Sequence, residues 1–190
     1  CETERHFFIA ESGSKKGEEI LAALSHRPAS EKEIQTAEQA LEKAADNMGR
    51  TLDTEDIEAM LNRRFDDPHW QEIADRCLTC GNCTMVCPTY FCTSAEDITD
   101  LAGEHAERWT HWASCFELDF TFIHGGPVRN SGASRYRHWL THKLGTWHDQ
   151  FGMSGCVGCG RCIAWCPTGI DITEEMATLE SQRAQERIDD

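Results

Sequence analysis

Apolar positions recur at helical spacing through much of this 190-residue chain, and that pattern predicts most of its elements. The run His6 to Ala10 reads as a short buried strand, with Gly17 to Leu24 as the helix after it. Ser30 and Glu33 have the spacing of a capping box. Ile34, Ala37, Leu41, Ala44, Ala45 and Met48 then follow on one face until Gly49 stops the run. Asp53 or Thr54 starts a shorter helix carrying Ile57, Met60 and Leu61. Asp67-Pro68 opens a third, with Trp70, Ile73, Ala74 and Cys77 along one face. Further on, Glu104 to Cys115 has helical character. Ser134 to Gln150 reads as a firm helix with Tyr136, Leu140, Leu144, Trp147 and Phe151 on one broad face. Gly125-Gly126-Pro127 and Asn130-Ser131-Gly132 mark loops. Asp171 or Thr173 caps a final helix whose later part, Glu180 to Asp190, is too polar to bury a face.

Two stretches interrupt this periodicity. Cys77-Leu-Thr-Cys80-Gly-Asn-Cys83-Thr-Met-Val-Cys87-Pro88 and Cys156-Val-Gly-Cys159-Gly-Arg-Cys162-Ile-Ala-Trp-Cys166-Pro167 share the spacing C-x2-C-x2-C-x3-C-P. That is the spacing of a bacterial-type ferredoxin cluster motif. Three thiolates from one tight loop can cap three irons of a cubane. The fourth, one helical turn further on and followed by proline, points away, and in two-cluster ferredoxins it ligates the other cluster. The expected ligand sets for two 4Fe–4S clusters are therefore Cys77, Cys80, Cys83 and Cys166, and Cys156, Cys159, Cys162 and Cys87. A zinc finger would separate two ligand pairs by a longer span, and a disulfide framework would demand a secreted chain.

Eleven cysteines would otherwise point to a disulfide scaffold, but eight lie in the motifs. Cys1, Cys92 and Cys115 are too few and scattered for one, so the expected compartment is a reducing cytoplasm. Cys92 and Cys115 read most simply as buried hydrophobes. The net charge of −15 makes nucleic acid a poor partner, and the chain has no apolar run long enough for a membrane span. The acidic excess is concentrated before the first motif and after residue 170, where solvated helix faces or a docking surface both account for it. Ser12-Gly-Ser-Lys-Lys-Gly17 lacks the order of a phosphate-binding loop and reads as an ordinary turn. A lone strand and helix cannot make a core, so a further module is expected in front of Cys1.

The connection between Cys87 and Cys156 is long. It holds Trp109, Trp112, Trp139 and Trp147, and six histidines: His105, His111, His124, His138, His142 and His148. The aromatics are expected to exclude water from the clusters. Arg129, Arg135, Arg137 and Lys143 are the main cationic concentration. They either offset the clusters' negative charge or face a partner protein or a nucleotide's phosphates. The expected fold is mainly α with a small ferredoxin-like α+β dicluster core and a large helical insertion between the two cluster motifs. The expected domains are a remnant strand–helix over 1–26, a helical linker over 27–76, and a two-cluster domain over 77–190 with its insertion at 93–150.

Beyond the two motifs, several stretches carry a resemblance: Glu96–Leu101 (EDITDL), Gly103–Trp109 (GEHAERW), Ser114-Cys-Phe116, His124-Gly-Gly126, Ser134–Leu144 (SRYRHWLTHKL), Trp147–Gly152 (WHDQFG) and Gly155–Thr173. Together they resemble the iron–sulfur beta subunit of cytoplasmic bidirectional nickel–iron hydrogenases, also called sulfhydrogenases. The iron–sulfur wire of anaerobic sulfite reductase is a more distant relative. The hydrogenase family often carries Cys-Phe-Cys after the first motif's proline, where this chain has Tyr90-Phe91-Cys92. The resemblance implies one component of a multi-subunit enzyme, connecting a flavin-containing, NAD(P)H-reactive subunit to the small and large subunits of a nickel–iron hydrogenase. FAD and NAD(P)H are then expected on the partner, not on this chain. No nucleophile, base and orienting group can be assembled from the motifs, so no catalytic residue is expected. A sulfite reductase wire, and a structural or sensing iron–sulfur module, are the alternatives.

Overall fold

The computed structural model describes residues 7–189, with side chains for 7–181. The chain divides into two compact units, residues 1–51 and 52–190. In the first, α1 (Lys15–Ala23) starts where the Ser14 hydroxyl accepts the Gly17 N–H at 3.1 Å, so the glycine-containing stretch before it serves as a helix cap. α2 (Glu31–Asp46) carries the expected capping box. Ser30 N–H donates to Glu33 Oε2 at 2.8 Å, and Glu33 N–H donates back to Ser30 Oγ at 3.3 Å. The strand expected over His6–Ala10 does not form at residues 7–10, which are irregular and exposed; His6 lies outside the described residues. A strand needs a neighbouring strand to exchange hydrogen bonds, and the sheets among the described residues are two self-contained hairpins.

In the second unit, α3 (Ile57–Arg63), α4 (His69–Arg76) and α6 (Gly132–Thr141) surround a core that also takes in the start of the last helix, α9 (Ile172–Asp189). Leu61, Ile73, Leu140 and Leu179 are fully buried there, and Tyr136 packs edge-on to both Phe116 and Trp139, with the three ring centroids 5.3–6.2 Å apart. Burying each such side chain contributes about 1.5–3 kcal/mol. The motif cysteines Cys77, Cys83, Cys156, Cys162 and Cys166 pack against this core. An ion network ties α9 to α4: Glu175 receives Arg76 on one carboxylate oxygen at 2.7 Å and meets the His69 Nε2 on the other at 2.8 Å. Asp171 Oδ1 accepts the Thr173 N–H at 2.9 Å and so caps α9, as expected.

The helix expected over Ser134–Gln150 is present, but not regular. α6 runs into a π-turn at His142–Thr146 and then α7 (Trp147–Phe151). The helix expected over Glu104–Cys115 is absent. β1 (Thr93–Thr99) and β2 (Ala106–Trp112) instead form an antiparallel hairpin, with Thr93 opposite Trp112 and Thr99 opposite Ala106. The reason is composition: Thr93, Ile98, Thr99, Trp109, Thr110 and Trp112 are β-branched or aromatic and favour a pleated surface, and Gly103 at φ 72° opens the turn. Arg108 clamps Asp97 directly across the pair, with its Nε 2.6 Å from Oδ1. The hairpin is exposed along its length, so Trp109 and Trp112 do not join the expected aromatic wrap, whereas Trp139 and Trp147 are buried. A smaller hairpin, β3 (Phe122–Ile123) with β4 (Gly126–Pro127), follows. The fold is thus mainly helical with small antiparallel sheets, and the insertion is part hairpin.

Candidate functional site

The two cysteine loops are copies of one backbone design 79 residues apart. Each has left-handed residues at equivalent positions: Thr79 (φ 51°) and Gly81 (φ 71°) in the first, Gly158 (φ 67°) and Gly160 (φ 68°) in the second. Each then forms a four-residue helix, α5 (Asn82–Met85) or α8 (Arg161–Ala164). The Thr84 N–H reaches the Gly81 carbonyl at 3.0 Å, and the Ile163 N–H reaches Gly160 at 3.1 Å. One turn later the Cys87 N–H closes on Thr84 and the Cys166 N–H on Ile163. The fourth cysteine of each motif is therefore carried away from its own loop by a short helix. Asn82 Nδ2 donates across to the Trp165 carbonyl and joins the copies.

Cys77, Cys80 and Cys83 share a cavity with Cys166, the fourth cysteine of the other motif; Cys162 also borders it. Phe116, Tyr136 and Trp139 form its apolar wall. Burial pushes the Cys77 thiol up, and Cys80 and Cys166 beside it push the same way. Burial likewise raises Cys83 strongly, with Cys77 adding to it. The Cys162 thiol is pushed up to about 11, by burial first and then by Cys156, Cys87 and Cys159 in its surroundings, with Lys143 opposing. Each loop thus senses the fourth cysteine of the other.

Those two fourth cysteines differ from the buried thiols of the loops. For Cys87, burial would raise the thiol, but hydrogen bonds from Thr89 and Lys143 outweigh it and hold it below its ordinary value. For Cys166, burial is similarly outweighed by Thr168 and by backbone N–H groups, including that of Ile170 at 3.3 Å. The signal for Thr89 and Thr168 was present in both motifs, which read Cys-Pro-Thr, but their hydroxyls' contact with sulfur is visible only in three dimensions. Cys80 and Cys159 are the exposed members of the two sets, and the other six motif cysteines are half-buried.

Among the described residues no three His, Cys, Asp or Glu side chains converge tightly enough to hold a single metal ion. A cubane asks for a different arrangement, with thiolates spread around a cluster rather than closed on a point. One buried group fits such a cluster: Tyr136 lines the Cys77 cavity, and its buried Oη has no hydrogen-bond partner. A phenol that deep normally finds an acceptor, and cluster sulfur is one. Of the four cations singled out by sequence, Lys143 contacts sulfur directly, donating to Cys87 Sγ at 3.1 Å. Arg135 donates to the Phe116 carbonyl at 2.9 Å, and Arg137 donates to the Phe65 carbonyl and stacks on the Phe65 ring at 3.7 Å. Cys115 is buried in the core, its thiol pushed up to about 11 by burial, and Cys92 is half-buried. The Tyr90 hydroxyl accepts the Cys115 N–H at 2.8 Å.

Residues 76–170 match a family model described as a 4Fe-4S dicluster domain, and residues 29–91 match a second model of the same description. The chain belongs to the 4Fe-4S dicluster domain family. Two 4Fe–4S clusters are accordingly its cofactors. A curated relative, sulfhydrogenase 2 subunit beta of Pyrococcus furiosus, is 31% identical over 167 residues, covering 86% of this dicluster chain and 49% of the relative. The chain therefore spans about half the length of that relative. No solved structure matches it. Among the described residues no helix is long and apolar enough to cross a membrane.

Proposed function

We propose that this dicluster chain is an electron-transfer subunit, with one cluster held by Cys77, Cys80, Cys83 and Cys166 and the other by Cys156, Cys159, Cys162 and Cys87. It passes electrons, in the cytoplasm, between a flavin-containing subunit that reacts with NAD(P)H and the small and large subunits of a nickel–iron hydrogenase. The observation that carries the ligand sets is the cavity in which three cysteines of one motif meet the fourth of the other. The partners are supported by the likeness to a sulfhydrogenase beta subunit. When bound, the clusters supply one-electron uptake and release.

The chain's own residues do the rest. Exchanged fourth ligands hold the two sites next to each other, which a relay requires and an isolated sensing cluster does not. Phe116, Tyr136 and Trp139 exclude water from one wall of the first site and so limit solvent reorganisation there. Cys80 and Cys159, the exposed members of the two sets, offer a surface approach to each site, as an entry and an exit. Reduction by NAD(P)H in the assembled complex, followed by electron paramagnetic resonance, tests the relay. The clusters should be reduced when the flavin subunit is present and stay oxidised in the isolated chain. Reduction of the isolated chain by NAD(P)H would contradict the reading, as would full NAD(P)H-linked activity of a complex stripped of both clusters.

A further inference from the structure

Lys143 lies inside the π-turn at His142–Thr146 and is 6% exposed. Its ammonium donates to Cys87 Sγ at 3.1 Å, to Thr89 Oγ1 at 3.1 Å and to the Gly155 carbonyl at 2.5 Å. Two of these contacts flank one proposed ligand set: Cys87 is its fourth member, and Gly155 precedes Cys156. No carboxylate is among its partners. A buried ammonium without a counter-ion is costly, and the one anion its contacts offer is the Cys87 sulfur once that sulfur ligates iron. The other set has no equivalent. The hydrogen bonds to its sulfurs come from neutral groups: the Thr79 and Ile170 N–H groups and the Thr168 hydroxyl. Tyr136, also neutral, faces its cavity. Arg135, near Cys77, donates to the Ser131 and Phe116 carbonyls.

We infer that Lys143 sets the two clusters at different potentials, making the one held by Cys156, Cys159, Cys162 and Cys87 the easier to reduce. Reduction adds one negative charge to a cluster and its thiolates. A cation hydrogen-bonded to one of those thiolates stabilises the reduced form more than the oxidised form, which raises the reduction potential. With both clusters bound, an electron shared between them would favour the one held by Cys156, Cys159, Cys162 and Cys87 over the one held by Cys77, Cys80, Cys83 and Cys166. The pair gains a direction, with the Lys143 side as the resting place of the first electron.

This inference rests on the two-cluster relay proposed above, and the test separates the two. The whole chain, purified without oxygen, is first assayed for iron and then titrated with dithionite under electron paramagnetic resonance. Wild-type protein without about eight irons per chain sinks the two-cluster reading itself. Given eight irons, two reduction steps are expected. In Lys143→Gln and Lys143→Met the higher step should move to lower potential while the other stays in place. Lys143→Arg, which restores a cation, should return it toward the wild-type position. Unmoved steps in Gln and Met overturn the inference, as does movement of the lower step, or an Arg variant as low as Met. A Lys143→Gln protein that holds only about four irons overturns it as well, because Lys143 would then be needed for assembly rather than for potential.

Discussion

Gly155 sits where the second cluster loop has the least room. A Cβ there would lie 2.6 Å from the Lys143 carbonyl oxygen and 2.6 Å from the Trp147 indole, so backbone or ring must shift. Gly158, three residues on, is different: a Cβ meets nothing within 4 Å, and the only penalty is the left-handed backbone at φ 67°. Gly155→Ala should therefore cost about 1–3 kcal/mol by crowding, and Gly158→Ala about 1 kcal/mol by strain. Anaerobic urea unfolding should place the midpoint of Gly155→Ala below that of Gly158→Ala, and the reverse order would contradict the packing. The first loop carries Thr79 at the position equivalent to Gly158 and holds the same conformation, with its N–H 3.4 Å from Cys77 Sγ. The cysteines were legible in the sequence because thiolate chemistry demands their type and spacing. The roles of Thr89, Thr168 and Tyr136 were not: the two threonine hydroxyls turn back on cysteines two residues away through a local conformation that spacing does not specify, and Tyr136 reaches the Cys77 cavity only through the packing of distant segments.

At the scale of elements, the last helix is held to the cluster-bearing core by a buried acid. Glu175 is 4% exposed and bridges His69 and Arg76 of α4. Glu175→Gln removes the charge and leaves one oxygen to accept where two did, so Arg76 and His69 can no longer both be served, and the protein should be destabilised by about 2 kcal/mol. The exposed neighbour offers a control: Glu174→Gln should change the urea midpoint little, and equal losses in the two variants would contradict the bridge. Helix caps were readable because they depend on residues three apart or fewer: Ser30 with Glu33 and Asp171 with Thr173 are both where local chemistry places them. The hairpin at 93–112 was misread because its strands bury neither face. Without a core-facing side to impose alternation, the polar and aromatic positions match a helical period as well as a strand period. The π-turn that carries Lys143 was equally hidden, since an extra residue in a helical turn leaves the apolar face of Tyr136, Leu140 and Leu144 nearly unchanged.

At the scale of the whole molecule, a protein of net charge −15 gathers its motif cysteines, the proposed ligands of two negative clusters, beside its hydrophobic core. That placement is tolerable because hydrogen-bond donors and one buried cation converge on the two fourth cysteines. The expected exchange of those cysteines between loops came from motif spacing and the ligation pattern of two-cluster ferredoxins, and the shared cavity of Cys77, Cys80, Cys83 and Cys166 is what supports it for the first set. The partners are legible only by likeness to a relative of which this chain spans about half. The central claim is the exchange, and one measurement addresses it directly. Cys87, Cys156, Cys159 and Cys162 are replaced together by serine, and iron and sulfide are counted in protein purified without oxygen. With exchanged ligands, the set Cys77, Cys80, Cys83 and Cys166 remains complete, and about four irons and four sulfides should remain with a 4Fe–4S signal on reduction. If each motif ligated its own cluster, both sets would be broken by the same substitutions, and loss of all intact 4Fe–4S signal would contradict the account.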